Sequence, residues 1–71
     1  MELMTYLDGS KLKRLRIGRG FSQRELAQRA QMSPSTIFLL EKKARNEGFH
    51  PSTVRKLSGA LGVDPDELLD D

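Results

Sequence analysis

The chain has 71 residues, enough for one small domain, and with no cysteine it can form neither a disulfide nor a thiolate zinc site. Its net charge is only +2, but residues 11–56 contain all twelve lysines and arginines and only three of the ten acidic residues. A basic middle between acidic ends suits a polyanion partner, although a well-solvated helical surface would give the same pattern. With no membrane-spanning apolar run and no signal peptide, we expect a soluble cytoplasmic protein without a membrane partner.

The first nine residues are predicted to be an N-terminal extension, and residues 10–71 a single domain. Four apolar side chains in or near the extension could pack on the domain or on a second subunit: Leu3, Met4, Tyr6 and Leu7. A first helix is predicted over residues 10–19, with Asp8 or Ser10 as its N-cap. Gly20 follows it as a natural stop.

Residues 22–42 are predicted to form two short helices joined by a tight turn, and the rest of the chain is organised around them. Ser22 and Glu25 have the spacing of a capping box. Ser33 can cap the second helix, with Pro34 at the first helical position. Between them runs a stripe of small apolar residues, Leu26, Ala27 and Ala30. Two helices of this length across a short turn form a helix-turn-helix unit.

The remainder of the chain is predicted to be a loop followed by two more helices. Residues 42–51 are polar and basic and are predicted to be a loop. Ser52 can cap a helix over residues 53–62, and Asp64 a last short helix that has Pro65 at its first position. Because no stretch has strand alternation, the predicted fold is all-α, a compact bundle of five short helices.

These residues carry a family resemblance that runs over about residues 12–69. The chain resembles the Cro/C1-type helix-turn-helix family of bacterial and phage repressors, the XRE-like regulators. The matching positions are Arg16, Gly20, Phe21, Ser22, Gln23, Glu25, Leu26, Ala27, Ser33, Ile37, Glu41, Thr53, Leu57, Ala60, Leu61, Gly62 and Val63. The resemblance implies a lambda-repressor-like domain whose second motif helix meets DNA. The chain departs from the family at Lys43, where glycine is usual, and its span to the next helix is longer.

The resemblance also implies roles for individual residues. In the family, the arginine at the position of Arg16 pairs with the glutamate that corresponds to Glu41, so we interpret these two as a structural ion pair. The counterpart of Gln23 contacts a DNA phosphate. Four residues are implied to lie nearest the bases: Ser33, Pro34, Ser35 and Leu39.

The basic residues after the second motif helix, Lys42, Lys43 and Arg45, are expected to contact DNA phosphates. Three other arginines could contact phosphate or could equally be solvated surface charges: Arg19, Arg24 and Arg29. The outer face of the second motif helix has no arginine, asparagine or glutamine, the side chains that bind guanine and adenine in a bidentate way. We therefore expect modest direct readout, with a large share from the backbone and from DNA shape.

The sequence thus predicts a sequence-specific DNA-binding transcriptional regulator, a repressor, that acts on double-stranded DNA as a homodimer. The alternative is a protein-interaction module on the same fold, an antitoxin or a regulator-sequestering protein, that binds its partner through Phe38 and Leu39. An enzyme is not expected, because the single histidine, His50, has no nucleophile or metal-ligand cluster around it. No cofactor, metal or catalytic residue is predicted.

Overall fold

The computed structural model describes residues 5–70, which form four α-helices, one 3₁₀ turn and two short strands. In chain order these are β1 (Tyr6–Leu7), α1 (Gly9–Gly18), α2 (Gln23–Ala30), α3 (Pro34–Lys42), α4 (Pro51–Leu61), the 3₁₀ turn (Pro65–Glu67) and β2 (Leu69–Asp70). The predicted helical bundle is confirmed, and α2 and α3 are the two helices of the motif. Leu3 and Met4, which we expected to pack on the domain or on a second subunit, lie outside the described residues.

Polar side chains fix the starts of the first three helices. Asp8 caps α1 by accepting a hydrogen bond from the Ser10 amide at 2.8 Å. At α2 the capping box is complete, since Ser22 accepts from the Glu25 amide at 3.0 Å and Glu25 accepts in return from the Ser22 amide at 3.4 Å. Ser33 caps α3. These bonds satisfy amides that have no partner within their own helix.

The fourth helix begins two residues earlier than predicted, at Pro51. His50 occupies the N-cap position without a side-chain capping bond, and Ser52, the predicted cap, lies inside the first turn. Proline accounts for the early start, because its fixed φ suits the first helical position and it has no amide hydrogen to leave unpaired.

The predicted fifth helix is only a 3₁₀ turn of three residues. Asp64 is at the N-cap position, as predicted, and Glu67 accepts a hydrogen bond from the Asp64 amide at 3.2 Å. The chain cannot continue as a helix, however, because the Leu68 carbonyl accepts from the Asp8 amide at 2.8 Å and Leu69 pairs with Leu7. The competing β pairing therefore ends the helical segment.

The core is a single cluster of apolar side chains to which every helix contributes. α2 packs against both α3 and α4, and α1 packs against α3. Small side chains on α2 allow the close approach. The buried residues are Leu7, Leu12, Leu26, Ala27, Ala30, Ile37, Val54, Leu57, Leu61 and Leu68.

The N-terminal segment contributes to this core. β1 and β2 are antiparallel, with Tyr6 opposite Asp70 and Leu7 opposite Leu69. Leu7 is fully buried and also forms a β-bridge with Asn46. The sequence did not indicate these strands, since two residues are too few to produce an alternating pattern. Part of the segment expected to be an extension is thus built into the fold.

Candidate nucleic-acid interface

The solvent side of α3 carries two parallel rows of exposed side chains. One row is Pro34, Phe38 and Lys42, and the other is Ser35, Leu39 and, at the helix end, Lys43. Residues four apart in a helix lie one above the other, so each row runs along the axis. The opposite side rests on the core through Ile37, which is fully buried. We call these six side chains the outer face of α3.

The four predicted base-contacting residues lie on or beside the first two turns of this outer face. Ser33 is exposed, and its hydroxyl accepts from the Ser35 amide at 3.2 Å. Pro34 and Ser35 open the helix, and Leu39 lies one turn further along. The structure thus brings the four residues together on one exposed surface, and their contact with bases stays a prediction.

Arg16 and Glu41 form a bidentate ion pair that joins α1 to α3. Arg16 Nε donates to Glu41 Oε2 at 2.6 Å, and Nη2 donates to Oε1 at 2.9 Å. Arg16 Nη1 also donates to the carbonyl of Phe21 at 2.8 Å. The side chains are only 11% and 4% exposed, so the pair is largely buried. A planar guanidinium held at three points fixes α3 against α1 and the start of the motif.

Gln23, the predicted phosphate contact at the start of α2, belongs to the same network. Its Nε2 donates to Glu41 Oε1 at 3.1 Å. The side-chain amide has a second N–H, and the first amides of a helix have no intrahelical acceptor. Gln23 can therefore donate to a phosphate while Glu41 holds its side chain in place.

The three predicted cations after the motif have different surroundings. Lys42 lies over the Phe38 ring, 5.6 Å from its centroid, and Lys43 is exposed. Arg45 instead donates to Glu47 at 3.0 Å and stacks on Tyr6 at 4.6 Å. The two lysines extend the outer face of α3, whereas Arg45 is occupied by an acid and an aromatic ring.

Two of the three arginines that we left open have structural partners. Arg19 Nε donates to the carbonyl of Leu61 at 2.9 Å, at the end of α4, and Arg29 stacks on Phe21 at 4.4 Å. Arg24 is exposed. Cations near a helix C-terminus stabilise it, so Arg19 contributes to the fold.

Sequence reasoning missed one basic residue beside the interface. Lys13, an exposed residue of α1, lines a shallow groove together with Gln23, Phe38, Glu41 and Lys42. A lysine on the first helix resembles any solvated charge, and only the packing of α1 on α3 brings it to the outer face.

Two further residues fix the end of α3, and the sequence gave no direct signal for either. Asn46 Nδ2 lies 2.9 Å from the carbonyl oxygen of Leu40 and 3.1 Å from those of Lys43 and Leu7. Gly9 lies so close to the end of α3 that a Cβ there would overlap the carbonyl oxygens of Leu40 and Lys43. The start of α1 and the end of α3 are thus in backbone contact.

The sequence model of the family described as "Helix-turn-helix domain" matches residues 9–71 of the chain. The chain belongs to the Cro/C1-type helix-turn-helix family of DNA-binding transcription regulators. No curated protein sequence is significantly similar to it. Among residues 5–70, no helix of this family member is long and apolar enough to cross a membrane.

Solved structures support the assignment. The restriction-modification controller protein C.AhdI from Aeromonas hydrophila is 33% identical with a TM-score of 0.76, over 84% of this chain and 88% of its own. SinR, the master regulator for biofilm formation, was solved in complex with DNA; it is 27% identical with a TM-score of 0.78, over 84% of this chain and 94% of its own. SinR was also solved in complex with the SinI protein.

A small part of an enzyme also has this fold. HEPD from Streptomyces albus, solved with 2-hydroxyethylphosphonate and Fe(II), is 24% identical with a TM-score of 0.79 over 96% of this chain. This helix-turn-helix chain spans only 15% of the enzyme's length. The likeness is one of fold alone.

Proposed function

We propose that this family member is a sequence-specific transcriptional repressor that inserts α3 into the major groove of double-stranded DNA. The observation that carries the proposal is the outer face of α3, an exposed helix surface that ends in two lysines and is held at its base by the Arg16–Glu41 pair. A helix of this kind fits the major groove, where each base pair presents a distinct edge. SinR, which is 27% identical to this chain, was solved in complex with DNA, and this supports DNA as the partner.

The proposed contacts divide into two groups. The base contacts come from Ser33, Pro34, Ser35 and Leu39. The phosphate contacts come from Gln23, Lys42, Lys43 and Arg45, to which the packing of α1 adds Lys13. Arg45 keeps donors for a phosphate beyond the one it gives Glu47, because a guanidinium has five N–H groups.

We further propose a two-fold dimer on a palindromic site, with half-sites about one helical turn apart. An apolar groove between α4 and the C-terminal residues is the surface on which we place the second copy. It is lined by Phe49, Pro51, Val54, Arg55, Pro65 and Leu69. The basis for the dimer is analogy with the family.

The experiment that tests the function is a fluorescence-anisotropy titration of random duplex DNA at several salt concentrations. We expect a Kd of roughly 10⁻⁴–10⁻⁶ M that weakens steeply as salt rises, because bound cations release counterions from DNA. Site selection from a random library would then yield the operator. Folded protein that leaves the duplex unbound at low salt would contradict the proposal.

Lysine variants test which cations contact phosphates. Lys42→Ala and Lys43→Ala should each weaken binding about equally on all sequences and reduce the salt slope by about one. Lys56→Ala, an exposed lysine on α4, is the matched control and should leave the slope unchanged. An unchanged slope for Lys42→Ala would remove it from the phosphate contacts.

A serine variant tests base readout separately. Ser35→Ala should relax preference at one base position by about 0.5–1.5 kcal/mol, the contribution of one neutral hydrogen bond, and leave binding to random DNA unchanged. The same loss on the selected operator and on random DNA would show that Ser35 reads no base.

A specific observation also favours the second candidate function, a protein-interaction module. Phe38 and Leu39 are 51% and 59% exposed, which is unusual for two adjacent large apolar side chains. SinR has a protein partner as well as a DNA complex. Binding to a protein through this apolar pair would depend weakly on salt, whereas DNA binding depends on it steeply.

A further inference from the structure

The outer face of α3 has a composition that restricts what it can read in a major groove. Large apolar side chains are strongly exposed at three described positions, Ile17, Phe38 and Leu39, and two of these adjoin each other in the middle of α3. Pro34, also apolar, lies one turn before Phe38 in the same row. The middle of α3 thus presents an exposed apolar surface to its binding partner.

The same surface has few polar groups that could form hydrogen bonds with a base. The Ser33 hydroxyl already accepts from the Ser35 amide. The cations stand at the far end, where Lys42 lies over the Phe38 ring and Lys43 ends the helix. Recognition of guanine or adenine needs bidentate donors in the first turns, which the six side chains of the outer face do not supply.

We propose that the methyl group on C5 of pyrimidines is the main base feature that α3 reads, through Phe38 and Leu39. This inference rests on the proposed function. The C5 methyl of thymine is the one apolar group that a base pair presents in the major groove, and an apolar side chain is its complement. Lys42 and Lys43, at the C-terminal end of the same face, match the negative DNA backbone beside such a contact, which favours DNA over a protein as the occupant of this face.

The proposal has a consequence for cytosine. 5-Methylcytosine carries the same methyl on the same ring carbon, so a contact made to that methyl does not distinguish it from thymine. At positions read by Phe38 or Leu39, methylated cytosine should therefore be bound more tightly than cytosine. Preferred half-sites should contain thymine at one or two positions that face the middle of α3.

The test begins with the duplex obtained by site selection and replaces its thymines one at a time with deoxyuridine, which removes only the methyl group. At one or two positions per half-site, Kd should rise roughly fourfold, the factor that corresponds to about 0.8 kcal/mol for one buried methyl-sized group. The other thymines should tolerate the change. Cytosine placed at a sensitive position should gain a similar factor when it is methylated at C5.

Protein variants locate the contact. In Leu39→Ala or Phe38→Ala the deoxyuridine penalty should vanish at the position that the side chain reads, giving a coupling in a double-mutant cycle. Both side chains are exposed, so the variants should fold, which circular dichroism would verify. Ile17→Ala, an equally exposed apolar residue on α1, is the matched control and should keep the full penalty.

The outcomes separate this inference from the function on which it rests. Tight, salt-dependent binding with no deoxyuridine penalty anywhere would overturn the methyl contact and leave the DNA-binding function intact. A penalty that persists in both Leu39→Ala and Phe38→Ala would assign the effect to DNA shape and also overturn it. If the folded protein binds no duplex at low salt, both proposals fail, and a protein partner would be the occupant of Phe38 and Leu39.

Discussion

Replacing Glu41 with leucine should remove a large part of the folding stability of this domain. The side chain of Glu41 is 4% exposed and that of Arg16 11%, and two hydrogen bonds of 2.6 and 2.9 Å join them. Glu41→Leu leaves the Arg16 guanidinium charged, buried and without its counterion, which costs about 3–5 kcal/mol. The total free energy of unfolding of a 71-residue domain is roughly 4–11 kcal/mol, at about 0.05–0.15 kcal/mol per residue.

The double variant Arg16→Met, Glu41→Leu should be far more stable than the single variant Glu41→Leu. It replaces two buried charges with two apolar side chains of similar size, so no unpaired charge remains. It still loses the bond from Arg16 to the Phe21 carbonyl and the bond from Gln23 to Glu41, each worth about 1 kcal/mol. We therefore expect the double variant to lie within about 2 kcal/mol of the natural sequence.

Urea denaturation followed by circular dichroism measures these differences for the natural chain, both single variants and the double variant. Equal m-values would show that the same surface unfolds in each. Glu47→Ala is a control, because Arg45 and Glu47 are 54% and 56% exposed and such a pair contributes at most about 1 kcal/mol. The free energy of unfolding that the double variant loses could equal the sum of the losses in the two single variants. In that case the two side chains contribute independently, contrary to what the burial of the pair implies.

Three further predictions concern the packing around α3. Gly9→Ala should destabilise the domain by about 3 kcal/mol in thermal or urea unfolding, because its Cβ would overlap two backbone carbonyl oxygens; Gly59→Ala, in an open part of α4, should instead stabilise it by about 0.5–1 kcal/mol. Asn46→Ala should cost about 1–2 kcal/mol in urea unfolding and raise amide exchange at β1, and unchanged exchange at Leu7 would refute the bridging role. Lys13→Ala should lower the salt slope of DNA binding, whereas an unaltered slope would place Lys13 away from the backbone.

The sequence predicted the motif well because its signals are local. Ser22 with Glu25, and Ser33 with Pro34, are capping patterns in which the interacting residues lie within one turn of each other. Such bonds need only residues within one turn, so the pattern marks where α2 and α3 begin once packing has stabilised the helices. The outer face of α3 followed from the same helical spacing, once the buried position of Ile37 was known.

The sequence could not predict the contacts that join distant segments. Gly9 matters only because α1 begins against the last carbonyl groups of α3, more than thirty residues away in the chain. The strands at Leu7 and Leu69 are even further apart in the chain, and their pairing turned a predicted helix into a 3₁₀ turn. Hydrophobic periodicity describes one helix or strand at a time, so it contains no information on contacts between distant segments.

The departure from the family at Lys43 shows how a different local structure can serve the same interface. Glycine is usual at this position in the family, but here Lys43 leaves α3 in an extended conformation, with φ −117° and ψ 138°, which a lysine adopts without strain. The Asn46 amide then binds the carbonyl groups of Leu40 and Lys43 that the helix end leaves open. Because no glycine is needed, the position can carry a side chain, and that side chain is an exposed cation beside Lys42. Lys43 thus adds a positive charge at the end of the helix that we propose enters the groove.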